Sequence, residues 1–118
     1  MSTLANVLVA LVALLHLVFL VLEMFLWTKP FGRRTFGLTA ELAEASAKLA
    51  ANQGLYNGFL AAGLIWGIVA HSFEVKVFFL ACVIVAGVFG AFTAKRSILW
   101  VQALPGAVAL AAVVAGRA

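Results

Sequence analysis

Charge is what this sequence has least of. It carries 8 Lys and Arg with 4 Asp and Glu in 118 residues, or 10% of the chain. A water-exposed domain of this size covers itself with roughly a quarter charged residues. The deficit excludes a soluble enzyme and a disordered tail. The net charge is only +4, so the high pI does not mark a nucleic-acid reader. Cysteine is nearly absent too. Cys82 stands alone, which excludes an internal disulfide and a multi-cysteine metal site; within an apolar run it reads as a small buried hydrophobe. No alternation of apolar and polar residues occurs, so strands are not expected. No Lys or Arg precedes the first apolar run, which is also too long for a signal-peptide core, so no cleavable signal is expected.

What is present is apolar side chain: 66% of the residues, with a mean hydropathy of +1.18. Crossing a bilayer core takes about 20 helical residues. Four segments qualify, at about 4–27, 47–70, 75–94 and 98–115. The expected fold is therefore all-α, an integral membrane four-helix bundle forming one domain over residues 1–118, in which every backbone group is satisfied within its helix. The Pro- and Gly-containing stretch from Thr28 to Leu38 reads as a loop. Thr39 reads as an N-cap with Glu41 in the following turn, opening an amphipathic lead-in that runs into the second span. Pro105 leaves the Val101 carbonyl without its helical donor and should kink the fourth span.

Lys and Arg set the expected orientation. Lys29, Arg33, Arg34, Lys48, Lys95 and Arg96 fall on one side, Lys76 and Arg117 on the other. The six-residue side is expected to be cytoplasmic, with both termini non-cytoplasmic.

With about 1.5 Å of rise per residue, the polar residues gather in one layer, the cytoplasmic third. Glu23 lies about one turn from the end of the first span. Asn52, Gln53, Tyr56 and Asn57 lie one to three turns into the second, and Gln102 one turn into the fourth. Lys95 and Arg96 close the third. A carboxylate inside a span costs a few kcal/mol on insertion scales, so Glu23 needs a reason. It is either half of an ion pair with Lys29, Arg33, Lys95 or Arg96, or a ligand-binding or acid–base group. His16 shares its helix face and is either a packing residue or part of the site; Trp27 is an interfacial anchor or a further lining residue. Four hydrogen-bonding residues within Asn52–Asn57 are either interhelical glue or a polar pocket. Small residues at Ala50, Gly54, Gly58 and Ala62, and at Cys82, Ala86, Gly90 and Ala94, read as close helix contacts, within or between subunits.

The segment Leu22-Glu23-Met24-Phe25-Leu26-Trp27-Thr28-Lys29-Pro30, the run Asn52-Gln53-Gly54-Leu55-Tyr56-Asn57-Gly58, and Gln102 ahead of Pro105 resemble domain-of-unknown-function family 1304, a family of small four-span bacterial membrane proteins. The resemblance implies fold and location and brings no activity with it. Lys48-Leu49-Ala50-Ala51-Asn52-Gln53 before an apolar span also resembles, more distantly, the second helix of the membrane-associated eicosanoid and glutathione metabolism (MAPEG) proteins. That resemblance implies a homotrimer with glutathione and lipid sites near the cytoplasmic face. Asn52 matches the motif asparagine. Leu55 stands where the transferases carry an acid, and only Lys95-Arg96 answers their basic third-helix end.

Three functions follow as expectations. The first is a pocket that binds, or acts on, an amphipathic or lipid-like molecule. In it Glu23 and Tyr56 are the candidate proton-transfer groups; His16, Trp27, Arg33, Asn52, Gln53, Asn57, Lys95, Arg96 and Gln102 are the candidate binding residues. Membrane lipid and a second copy of the chain are the expected partners. The second is a small proton-coupled exporter, and the third a non-catalytic assembly subunit. No metal is expected, and no cofactor apart from the glutathione that the MAPEG resemblance would bring. Whether a reaction is catalysed stays open.

Overall fold

A computed structural model of the chain describes residues 2–117. It is all-α, 87% helical, with no strand among the described residues. Helix α1 spans Thr3–Met24, α2 Pro30–Phe36, α3 Ala40–Val69, α4 Phe73–Thr93 and α5 Leu104–Arg117, the last preceded by a π-helical turn at Leu99–Ala103. Three segments are long and apolar enough to cross a membrane: Thr3–Met24, Phe73–Thr93 and Leu99–Arg117. At 30 residues α3 is longer than any of them. It is not among the three because Asn52, Gln53, Tyr56 and Asn57 interrupt its apolar run.

The helix ends follow local chemistry. Thr39 Oγ1 accepts from the Leu42 N–H at 3.1 Å, capping α3 as the sequence predicts. Ser72 does the same for α4, accepting from the Val75 N–H at 3.2 Å, just after His71 turns the chain with φ 52°. The expected loop from Thr28 to Leu38 is corrected, since α2 lies inside it. Pro30 suits a helix's first turn, where no N–H is needed. Gly37, at φ 66°, ends α2 by donating to the Arg33 and Arg34 carbonyls. Pro105 acts where expected but in a different form. The Leu104 N–H bonds the Leu99 carbonyl, five residues back. The missing donor is thus accommodated by a widened turn rather than by one free carbonyl.

Close contacts divide the chain into two compact units. One is Leu15–Phe59; the other joins α1 up to Leu14 with Leu60 and all that follows. The second unit has a core of Ala5, Val9, Val12, Leu64, Leu80, Val83, Ala109 and Val113, among others. Alanine and valine make up eight of its ten buried residues, so the helices pack closely.

The small-residue repeats are only partly where the sequence suggests. On α3 the buried positions include Ala50, Gly54, Asn57, Ala61 and Leu64, whereas Ala62 is exposed. Steps of four alone drift round a helix; alternating four and three holds one face. On α4 the close approach belongs to Gly87, where an added Cβ would lie 2.6 Å from the Ala103 nitrogen, and to Gly90 beside Ile98. Cys82 is half-buried and Ala86 exposed. Both lie in a shallow apolar groove with Phe78 and Phe89.

This unit also buries a lysine. Lys76 has no exposed surface, and its Nζ donates to Asn6 Oδ1 at 2.7 Å. In the sequence Lys76 stands at the start of the third expected span and counts only as a charge on the non-cytoplasmic side. Its face was legible all the same, because Lys76, Leu80, Val83 and Gly87 are spaced four, three and four apart and are all buried. Removing the acceptor leaves a buried ammonium without compensation. Asn6→Ala should lower stability by about 1–3 kcal/mol, and Lys76→Met added to it should restore most of that loss. Thermal unfolding of the two variants in detergent checks this.

Candidate functional site

The site is built in the unit Leu15–Phe59 from the last turns of α1 and the part of α3 up to Phe59. Glycine lets the two helices meet. A Cβ on Gly54 would lie 2.6 Å from Met24 Cγ and 3.2 Å from both Glu23 Cβ and the Leu20 carbonyl oxygen. One on Gly58 would meet only the tip of Leu20, at 2.8 Å. Across this contact Asn57 Nδ2 donates to Glu23 Oε1. Asn57 is 5% exposed and Glu23 half-buried.

The partner of Glu23 is therefore a neutral amide. Of the expected ion-pair candidates, Lys29 and Arg33 lie in this unit and neither pairs with Glu23; Lys95 and Arg96 belong to the other unit. Among the described residues the ion pair formed is Arg117 with Glu74, at 3.3 Å and exposed. An amide donor satisfies one lone pair of a carboxylate that has room for more. The remaining acceptor capacity can take a hydroxyl, an amine or a proton.

The other candidates fall into three groups. Asn52, Gln53 and Tyr56 are exposed on α3 and do not join the Glu23–Asn57 pair; the Tyr56 ring sits against Phe59, centroids 5.9 Å apart. Lys95, Arg96 and Gln102 belong to the other unit. There Lys95 and Arg96 are exposed, and Gln102 is half-buried in the π-helical turn. His16 is fully buried, edge-on to Phe19 at 5.4 Å.

Trp27 lies beyond the end of α1, in the turn that leads to α2. Its Nε1 donates to Ser46 Oγ at 3.0 Å, and its ring packs on Phe36 at 4.8 Å. Ser46 in turn donates to the Leu42 carbonyl at 2.7 Å. Trp27 thus ties α2 and the start of α3 to the end of α1. Ser46 had no signal in the sequence beyond being a polar residue on the inner side of an amphipathic stretch. Arg33 on α2 is half-buried, and its Nε is buried with no hydrogen-bond acceptor among the described residues.

Comparison with known proteins places the chain in context. Residues 10–114 match the family model described as "Protein of unknown function (DUF1304)". The chain is similar to the uncharacterized protein YpaA of Lactococcus lactis subsp. lactis (strain IL1403), with 31% identity over 106 residues, covering 86% of this chain and 89% of that protein. No solved structure matches.

Proposed function

The chain belongs to the DUF1304 family of proteins of unknown function, and from its own geometry we propose that it is a four-span membrane protein whose Glu23–Asn57 pair receives the polar head of an amphipathic, lipid-like molecule. The observation that carries this reading is the Asn57-to-Glu23 hydrogen bond in place of an ion pair. A carboxylate kept in an apolar helix pair without a cation is expensive to the fold, and such groups are retained at functional sites.

In this reading α3 is the remaining span. Its polar run is tolerable in lipid because Asn57 turns inward onto Glu23. Asn52, Gln53 and Tyr56 lie close enough to the cytoplasmic end to reach headgroups or a second copy of the chain. The basic turns face the cytoplasm, both termini face outward, and the membrane is the bacterial inner membrane. Apolar helix surface takes the ligand's tail. If a reaction occurs, Glu23 and Tyr56 are the groups to move a proton. A trimer, and glutathione as a co-substrate, rest on the MAPEG resemblance alone. Export coupled to protons is the second reading, favoured by a carboxylate whose partner is neutral and which can therefore exchange a proton.

Labelling of single cysteines in intact cells, on a Cys82→Ala background, tests the placement. Cysteines at Ser2 and Ser72 should react with an impermeant reagent, and one at Ser97 should not. Reaction at Ser97 from outside would put the polar layer on the wrong side and sink the reading.

A further inference from the structure

We propose that α2 and the turn before it form a binding site for the phosphate of an anionic phospholipid, with the Arg33 guanidinium as its specific donor. Lys29, Arg33 and Arg34 stand within six positions, and among the described residues none of them forms an ion pair. Lys29 and Arg34 are exposed. Arg33 differs from both, being half-buried with its Nε–H buried and lacking an acceptor. A buried charged donor needs an acceptor, and the described residues supply none.

The acceptor that fits is an anionic oxygen pair. Guanidinium presents its donors as a planar fork that matches phosphate, which ammonium does not. The neighbouring side chains point to a lipid rather than a soluble phosphate. Phe25 is 64% exposed and Phe31 57% exposed, so exposed aromatic surface precedes the cations in sequence and lies between Lys29 and Arg33. The site also follows directly on a helix long and apolar enough to cross the membrane, at the depth where headgroups lie. Basic clusters next to such a helix are drawn to anionic lipid by about 1 kcal/mol per residue. That general attraction is what Lys29 and Arg34 supply, while Arg33 adds geometry.

Gly32 holds the arrangement. It is buried against the Leu26 carbonyl, where a Cβ could not fit, so the backbone beside Arg33 is pressed onto the turn that follows α1. The inference rests on the membrane placement proposed above. It does not require Glu23 to bind anything.

The test uses the full chain in a nonionic detergent, titrated with phosphatidylglycerol, with phosphatidylcholine of the same acyl chains, and with glycerol phosphate, read by native mass spectrometry. Phosphatidylglycerol should bind about tenfold tighter than phosphatidylcholine, and glycerol phosphate should not displace it. Arg33→Lys keeps the charge and removes the fork, and should weaken phosphatidylglycerol about tenfold. Arg34→Lys, at an exposed position, should leave binding unchanged. Phosphatidylglycerol binding that is lost in Glu23→Gln and kept in Arg33→Lys would put the lipid at Glu23 and overturn the proposal. Equal binding of the two lipids in the wild-type chain would overturn the proposal without recourse to a variant. So would wild-type affinity in Arg33→Lys, which would mean charge alone is read, or displacement by glycerol phosphate, which would mean a soluble anion is the ligand.

Discussion

Gly32→Ala should unseat α2 from the end of α1. The added methyl group meets backbone, not a side chain that can swing aside. It would overlap the Leu26 carbonyl oxygen, lie 2.6 Å from the carbonyl carbon and 3.2 Å from the Trp27 Cα. Either the turn Leu26–Lys29 opens or α2 moves away. Both routes break the Trp27–Ser46 hydrogen bond and the Trp27–Phe36 packing, because these join the turn to α2 and α3. Overpacking of this kind costs about 1–3 kcal/mol, and the lost hydrogen bond adds about 1 kcal/mol. Gly37 is the matched control. It has open space around its Cβ position, and only its left-handed φ of 66° resists a side chain. Gly37→Ala should therefore cost about 1 kcal/mol and leave the turn intact. The two are separated by thermal unfolding and by trypsin, which cuts after Arg33 and Arg34. Gly32→Ala should be cut much faster than wild type, and Gly37→Ala only slightly faster. Equal protection of Gly32→Ala would mean that α2 does not press on the turn.

Glu23→Gln should keep the melting temperature or raise it. The glutamine carbonyl accepts the Asn57 hydrogen bond just as the carboxylate does, and no charge remains to be desolvated. Asn57→Leu is the contrasting change. It leaves the carboxylate in the same apolar contact with its donor gone, and should lose about 1–3 kcal/mol. The sign of the difference separates the two meanings of Glu23. If the charge stabilises the fold through a cation elsewhere, both variants lose stability. If the charge is held for a ligand, only Asn57→Leu does. Differential scanning of the two purified variants in one detergent decides between them.

The sequence discloses these residues unevenly. Thr39 was readable as a cap because a hydroxyl before an amphipathic run has one local use. Pro105 was readable as a disturbance, since a missing N–H must be felt somewhere, but whether the helix kinks or widens depends on the neighbouring turn. The short helix α2 was hidden by its own composition: Pro30, Gly32 and Gly37 look like loop residues, yet they occupy a first turn, a close contact and a left-handed cap. The polar run of α3 showed too much at once. Density alone grouped Asn52, Gln53, Tyr56 and Asn57 into one pocket, whereas helix phase puts Asn57 with Gly54 and Ala61 on the buried face and the other three outside. That division could have been read from spacing. The replacement of the expected ion pair by an amide could not, because choosing among four cations and an asparagine needs the path of the chain between Met24 and Ala40. Lys76 and Asn6 are 70 residues apart in sequence, and no local pattern joins them.

The most direct test of the central claim, that Glu23 and Asn57 hold a ligand's polar head, is native mass spectrometry of what co-purifies with the chain. Wild-type protein released gently from its membrane should carry a small amphipathic molecule that Glu23→Gln protein, folded and equally stable, has lost. Identical bound species on the two proteins, with the melting temperature of Glu23→Gln lowered, would contradict the account and make Glu23 a structural residue.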